Sequence, residues 1–235
     1  MTSTRERILA TSLELFNRQG ERNVTTNHIA EALGISPGNL YYHFRNKGEI
    51  VKELFIRYQA MVEAFLQVPA GRPLTWQDKV GYLESILESI WATRFLHRDL
   101  GHLLNQDETL REDYREFVSI CLKKGLNIYQ GLRASGLIAA SDEDLQALMV
   151  NTWVIVASWA MFVQSMVPDD HRDLDRDRKL LQQGIYQVVC LEAPYLKGEA
   201  LEHLDSIKAR YGSAANAMEM LAGQAGMRRD GNDDR

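Results

Sequence analysis

Asn39 and Tyr41 stand two positions apart in the segment Ser36-Pro37-Gly38-Asn39-Leu40-Tyr41-Tyr42-His43-Phe44. An amide there can pair two-pronged with an adenine edge, and an aromatic ring can rest against a thymine methyl. Gly38 has no side chain, so a helix carrying these residues can come close to a duplex. Just upstream, Thr25 or Thr26 can cap another helix, whose N-terminal N–H groups and dipole suit a phosphate oxygen. The chemistry offered by residues 25–47 is recognition.

Other reactive groups do not assemble. His97 and His102 are five apart, on different faces of a helix, and no cysteine or carboxylate pattern completes a metal site with them. Asp173-Leu174-Asp175-Arg176-Asp177 carries the acids of a calcium loop without its glycine or distal glutamate, and reads as an acidic helix start. There is no nucleophile elbow, phosphate loop or dinucleotide fingerprint. Cys121 and Cys190 lie far apart in apolar helical stretches and read as buried, reduced thiols. No enzymatic activity, cofactor or metal is expected.

The elements that must position the recognition residues are helices. Ser3 and Glu6 have capping-box spacing, Ile8, Leu9, Leu13 and Phe16 follow at helical intervals, and Gly20 offers a stop. A second helix buries Ile29, Ala30 and Leu33, and Gly34 supplies the turn. Ser36 caps a third with Pro37 at its first position, where a missing N–H costs nothing. Leu40 and Phe44 face inward and leave Asn39, Tyr41, Tyr42 and His43 free. This is the layout of a helix-turn-helix, whose second helix enters the major groove. From Lys47 a longer helix runs to about Leu66, with Ile50, Val51, Leu54, Phe55, Tyr58, Met61, Val62 and Phe65 on its apolar side.

Pro69-Ala70-Gly71-Arg72-Pro73 breaks that helix. Beyond it, helical patterns occupy roughly 75–97, 98–105, 108–135, 141–167 and 174–192. Gly136 separates the third from the fourth, and Pro168 with Asp169-Asp170-His171 the fourth from the fifth. Pro194 ends the last, a weaker amphipathic stretch (Leu201, Leu204, Ile207, Tyr211) follows, and the chain beyond about Gly223 reads as disordered. No strand-like alternation occurs, so the predicted fold is all-α. Residues 145–167 carry no charge. Their polar residues are spread around the helix, which favours a central helix between a core and a partner subunit over a membrane span.

At 235 residues the chain can bury a sizeable core, and its composition (45% hydrophobic, 25% charged) is that of a soluble globular protein. No signal peptide is evident, and a cytoplasmic location is expected. The net charge of −5 divides unevenly: residues 1–47 carry six basic and four acidic groups, about +2, and the rest about −7. A basic head on an acidic body confines phosphate attraction to one end, and so slight an excess calls for a dimer.

Arg7-Ile8-Leu9, Leu15-Phe16, Gly20, Thr25-Thr26, Ile29-Ala30, Leu33-Gly34-Ile35-Ser36, Gly38, Leu40-Tyr41-Tyr42-His43-Phe44 and Lys47 occur in one order and spacing. Over about a fifth of the chain this run resembles the TetR family of bacterial transcription regulators. The resemblance implies that Tyr42, His43 and Lys47 clamp the DNA backbone, beside Thr25, Thr26, Ser36, Pro37, Gly38, Asn39 and Tyr41 on the same surface. It also implies a three-helix DNA-binding head over residues 1–47, followed at 48–212 by an all-helical effector-binding and dimerisation domain. Helix 4 (about 47–66) links the two, and 213–235 reads as a flexible tail.

For the body, the resemblance implies an effector pocket between the helices after helix 4, and a homodimer formed by the last long helices, here 141–167 and 174–192. Trp91, Phe95, Phe117, Tyr129, Trp153, Trp159 and Phe162 supply large apolar faces with few charges among them, and Cys121 lies in the same apolar run as Phe117. Trp91, Phe95, Phe117, Cys121, Trp153 and Trp159 are therefore the candidate pocket residues, for a small, largely apolar effector. The expected protein is a repressor that binds a palindromic DNA operator as a homodimer and is released by that effector. The alternative is a DNA-bound adaptor whose body answers to a protein partner.

Overall fold

The computed structural model describes residues 3–166 and 174–212. Over these the chain forms α1 (Thr4–Gln19), α2 (Thr26–Leu33), α3 (Pro37–His43), α4 (Lys47–Phe65), α5 (Trp76–Ala92) and α6 (Arg94–Gln106). There follow α7 (Glu108–Ala134), α8 (Asp142–Met166), α9 (Leu174–Glu192), α10 (Gly198–Glu202) and α11 (Leu204–Tyr211). Among the described residues, the extended backbone amounts to one isolated antiparallel bridge, Ile138 to Leu196, so the protein is all-α. The separating segment at 168–171, Asp173 and the tail from 213 lie outside the described residues.

The helices start where capping chemistry places them. Ser3, Thr25, Ser36 and Asn46 each accept a hydrogen bond from a backbone N–H of the first turn. Thr75 with Asp78, and Ser141 with Asp144, form reciprocal boxes at the starts of α5 and α8. At Ser3 the expected box is half made, because the Glu6 carboxylate instead takes both guanidinium nitrogens of Arg57, at 2.6 Å each. Gly34 ends α2 in the left-handed region (φ 66°), and the N–H of Ile35 reaches back 3.0 Å to the carbonyl of Ala30.

One compact unit comprises Met1–Gln67 with Glu88–Lys124, so the first four helices share it with the end of α5, with α6 and with most of α7. Ile8, Leu9, Phe16, Ile29, Leu40, Phe44 and the α4 residues Ile50, Leu54 and Phe55 fill its core. Met61, expected on the apolar side of α4, is exposed. The break between the first two body helices falls at Thr93, not at 97–98. There the Thr93 hydroxyl donates to the carbonyl of Ser89 (2.8 Å), while Asn17 of α1 serves both severed ends. Its Nδ2 donates to the carbonyl of Ala92 (2.8 Å) and its Oδ1 accepts from the N–H of Phe95 (3.1 Å). A side chain distant in sequence thus satisfies the backbone groups that a continuous helix would have paired.

The second unit comprises Val68–Leu87 with Gly125–Arg235. Here α8 and α9 pack side by side, and the indole of Trp159 donates to the carbonyl of Leu180 (3.0 Å). Gly184 makes room for that ring, since a Cβ there would sit 2.9 Å from the indole. The apolar residues of α9 (Leu180, Leu181, Ile185, Val188, Val189) are buried within the chain. By contrast α8 is long and apolar enough to cross a membrane by composition, yet only 33% of that window is buried. Val150, Val154, Met161 and Phe162 stand exposed in a stripe at helical spacing.

At the centre of this unit Glu192 has no exposed surface. Its Oε1 pairs with Lys79 Nζ at 2.7 Å and accepts a hydrogen bond from the Tyr129 hydroxyl, which lies 2.6 Å from Thr152 Oγ1. The Lys79 ammonium also sits 4.4 Å from the centre of the Tyr129 ring. Burial raises the Tyr129 phenol well above its ordinary pKa, with the Glu192 charge adding to the effect. The cluster joins α5, α7, α8 and α9 through one buried charge pair. Glu192→Gln leaves the Lys79 ammonium enclosed without a counter-charge and is expected to cost about 3–5 kcal/mol in urea unfolding. Adding Lys79→Met should recover much of that loss.

Candidate nucleic-acid interface

The sequence Ser36-Pro37-Gly38-Asn39 starts α3 cleanly: Ser36 Oγ accepts from the N–H of Asn39 (3.1 Å) and Pro37 occupies the first turn. Burial of Leu40 and Phe44 then sets the helix rotation. The opposite face carries Pro37, Gly38, Asn39 and Tyr41, all exposed, and Tyr42, which is 84% exposed. His43 is half-buried, edge-on to Tyr42 with ring centres 5.1 Å apart.

Gly38 is informative because nothing inside the chain asks for it. Its backbone is ordinary helix, and a Cβ would meet only Ser36 Oγ, at 3.9 Å. The missing side chain leaves the exposed start of α3 open to an approach from outside. Thr26 and Tyr41 join α2 to α3 through hydroxyls 2.9 Å apart. Thr25 spends its hydroxyl on the N–H of His28 (3.2 Å), and His28 returns Nδ1 to the N–H of Thr25 (3.3 Å). The Tyr41 ring is thereby oriented while Asn39 and Tyr42 project freely.

Lys47 has a different task from the one its position implies. Its ammonium pairs with Glu21 Oε1 at 2.7 Å and donates to the carbonyls of Glu21 (2.8 Å) and Val24 (3.0 Å). It is a strut inside the head, with no donor left over for a phosphate. Glu21 in turn donates its N–H to Asp99 Oδ2 of α6 (3.1 Å), and Arg98 beside it donates to the carbonyl of Phe16 (2.7 Å). The rings of Phe16 and Phe95 meet at 5.2 Å. Sequence reasoning missed this seam with α6, since no local pattern marks Asn17, Arg98 or Asp99.

The six candidate pocket residues fall in both compact units. In the first, Phe95 is spent on Phe16, and Trp91 is half-buried with the Arg94 guanidinium 4.6 Å from its ring centre. Phe117 packs edge-on to Phe55 and Tyr58, and burial pushes the Cys121 thiol up to about 12. In the second, Trp153 is half-buried and Trp159 serves the α8–α9 contact. Tyr58 and His97, absent from the expected set, meet at 5.4 Å in the first unit. In the sequence His97 stands between Phe95-Leu96 and the charged pair Arg98-Asp99, and no local pattern marks it as a site residue. Among the described residues no cluster of three or more His, Cys, Asp or Glu is arranged to hold a metal.

A helical head that turns a polar and aromatic helix face outward, with its apolar side locked into a three-helix core, defines a helix-turn-helix DNA-binding protein. Residues 8–54 match the family profile described as bacterial regulatory proteins, tetR family, and residues 57–204 one described as bacterial transcriptional repressor. The chain belongs to the TetR family of transcriptional regulators, which are non-enzymatic DNA-binding proteins.

A TetR-family regulator from Marinobacter aquaeolei VT8 superimposes with a TM-score of 0.82 at 44% identity, covering 90% of this chain and all of that one. The uncharacterized regulator TtgW of Pseudomonas putida is 28% identical over 61% of this chain and 90% of its own length. The regulator SrpR of Pseudomonas putida is also 28% identical, over 61% of this chain but only 56% of its own length.

Two substitutions separate contact from support. Tyr42→Ala should leave stability within about 0.5 kcal/mol and weaken binding to all DNA sequences alike. Lys47→Ala leaves the Glu21 carboxylate enclosed and unpaired, and should cost roughly 3 kcal/mol of stability. Chemical unfolding and fluorescence anisotropy on duplex DNA would check both. A Lys47→Ala protein of unchanged stability would show that the strut is unimportant.

Proposed function

We propose that this protein is a repressor that binds a palindromic operator as a homodimer and is released by a small, largely apolar effector. The observation that carries the reading is the outward face of α3. Asn39 and Tyr41 serve as base readers, Gly38 permits close approach, and Thr25, Thr26, Ser36, Pro37, Tyr42 and His43 seat the backbone. A twofold dimer would present two such faces to successive major grooves. The slight positive charge of the head, part of which Arg5 turns toward Glu53 beyond residue 47, makes a single head a weak ligand.

The dimer surface we propose is the exposed stripe of α8, including Val150, Val154, Met161 and Phe162. An uncharged stripe of exposed apolar side chains along one helix suits pairing with its own copy. The apolar side of α9 is already covered within the chain, so α9 contributes at most its polar edge. Release follows if an effector prefers a conformation of the first unit in which α6 no longer holds α1 through Asn17, Arg98 and Asp99. The protein would act on DNA in the bacterial cytoplasm.

Selection of genomic fragments with purified protein should return an inverted repeat. Sedimentation should show a dimer, and Val154→Glu should give folded monomers that bind the selected operator at least tenfold more weakly. A native protein that sediments as a monomer, or a selected site without twofold symmetry, would sink the reading.

A further inference from the structure

Like Ser12 and Glu21, His97 is a polar residue of the first unit with a buried atom that lacks a hydrogen-bond partner. It lies on α6, its ring centre 5.4 Å from that of Tyr58 at an interplanar angle of 81°. Tyr58 stands 5.5 Å from Phe117, which stands 5.9 Å from Phe55, with Tyr114 beyond Phe55 at 6.2 Å. Cys121, one turn along α7 from Phe117, is buried in the same unit. In this aromatic cluster Tyr58 turns its ring to His97 and Phe117, and burial raises its phenol above the ordinary range.

The Nε2 atom of His97 is enclosed and has no hydrogen-bond partner. Leaving such an atom unpaired costs folding free energy, so it is an anomaly that requires an explanation. The side chain as a whole nevertheless keeps some open surface, unlike Phe95 and Leu96 before it. Burial alone holds the imidazole down to about 4, and no neighbouring charge contributes. The ring is therefore neutral at pH 7, with one nitrogen a donor and the other an acceptor. The nearest charges to Cys121, Glu63 and Lys124, are paired with each other at 3.6 Å.

We propose that this cluster is the effector chamber, and that it takes a neutral, largely apolar molecule bearing one hydroxyl group. The hydroxyl meets His97 Nε2, and the hydrocarbon lies against Tyr58, Phe117 and Cys121. A hydroxyl both donates and accepts, so it answers either imidazole tautomer, whereas a ketone or ether answers one. A carboxylate would need the imidazolium, which at pH 7 is about one part in a thousand for a group titrating near 4. A quaternary ammonium would find rings but no balancing charge. This inference rests on the effector reading above and adds the place and class of the ligand.

The probes are 4-phenylphenol, biphenyl and biphenyl-4-carboxylate, titrated calorimetrically into the full-length protein and its His97→Phe and His97→Gln variants. Native protein should bind 4-phenylphenol at least tenfold more tightly than either analogue. His97→Phe should bind biphenyl as the native protein does and lose the preference for the phenol, while His97→Gln, which keeps a donor and an acceptor, should retain part of it. Circular dichroism and operator binding would establish that the variants fold. No binding of 4-phenylphenol, strongest binding of the carboxylate, or a preference that survives His97→Phe would each overturn the assignment. An isotope-edited spectrum showing Nε2 bonded only to a trapped water with the phenol present would do the same. Phenol binding that leaves operator affinity unchanged would preserve the chamber and remove the effector reading. Release of operator by a molecule indifferent to His97→Phe would do the reverse.

Discussion

The side chain of Glu21 retains 4% of its surface, and a carboxylate so enclosed must be answered by a positive charge and by donors. Lys47 supplies the charge and reaches past it to two carbonyls of the same turn, so the start of α4 is pinned to the end of α1. The backbone N–H of Glu21 is held by Asp99, which ties the same turn to α6. His102 of α6 comes within 4.0 Å of the remaining Glu21 oxygen. The position of α3 depends on this junction, because α3 ends at His43, only four residues before the anchored lysine.

The use of charge in the head follows from that economy. Arg5 and Arg57 on one side, Glu6 and Glu53 on the other, lace α1 to α4, and the guanidinium of Arg5 also covers the Phe44 ring at 4.9 Å. The Arg5 hydrogen bond holds Glu53 below the usual carboxylate range. Arg5 and Lys47, which a charge count assigns to phosphate attraction, are in fact structural, whereas Arg22 and Arg45 are exposed. The outward face of α3 itself carries an amide and phenols, groups whose hydrogen bonds are directional.

The two compact units treat buried polar groups differently. In the second, the Glu192 carboxylate, the Lys79 ammonium and the hydroxyls of Tyr129 and Thr152 answer one another, and the cluster fixes four helices in one arrangement. In the first, the aromatic cluster around Tyr58 includes an imidazole nitrogen that has no hydrogen-bond partner. The unsatisfied imidazole lies on the helix whose next residues, Arg98 and Asp99, hold the DNA head.

Local chemistry determined much of the fold. Caps at Ser3, Thr25, Ser36, Asn46 and Ser141 start helices because a hydroxyl or amide oxygen satisfies a first-turn N–H within the same few residues. Gly34 and Gly136 stop them because the left-handed backbone suits glycine. The outward face of α3 was legible for the same reason, since helical periodicity around Leu40 and Phe44 dictates which residues remain outside. Interactions between distant residues were not legible. Whether a continuous amphipathic pattern breaks at Thr93 depends on Asn17 being there to bind both ends. Whether Lys47 faces a phosphate or a carboxylate depends on Glu21, 26 residues earlier. Whether the uncharged part of α8, from Leu145 on, is buried all round depends on how much of it α9 covers. Sequence specifies what each segment prefers, and only tertiary packing decides which buried polar group meets which partner.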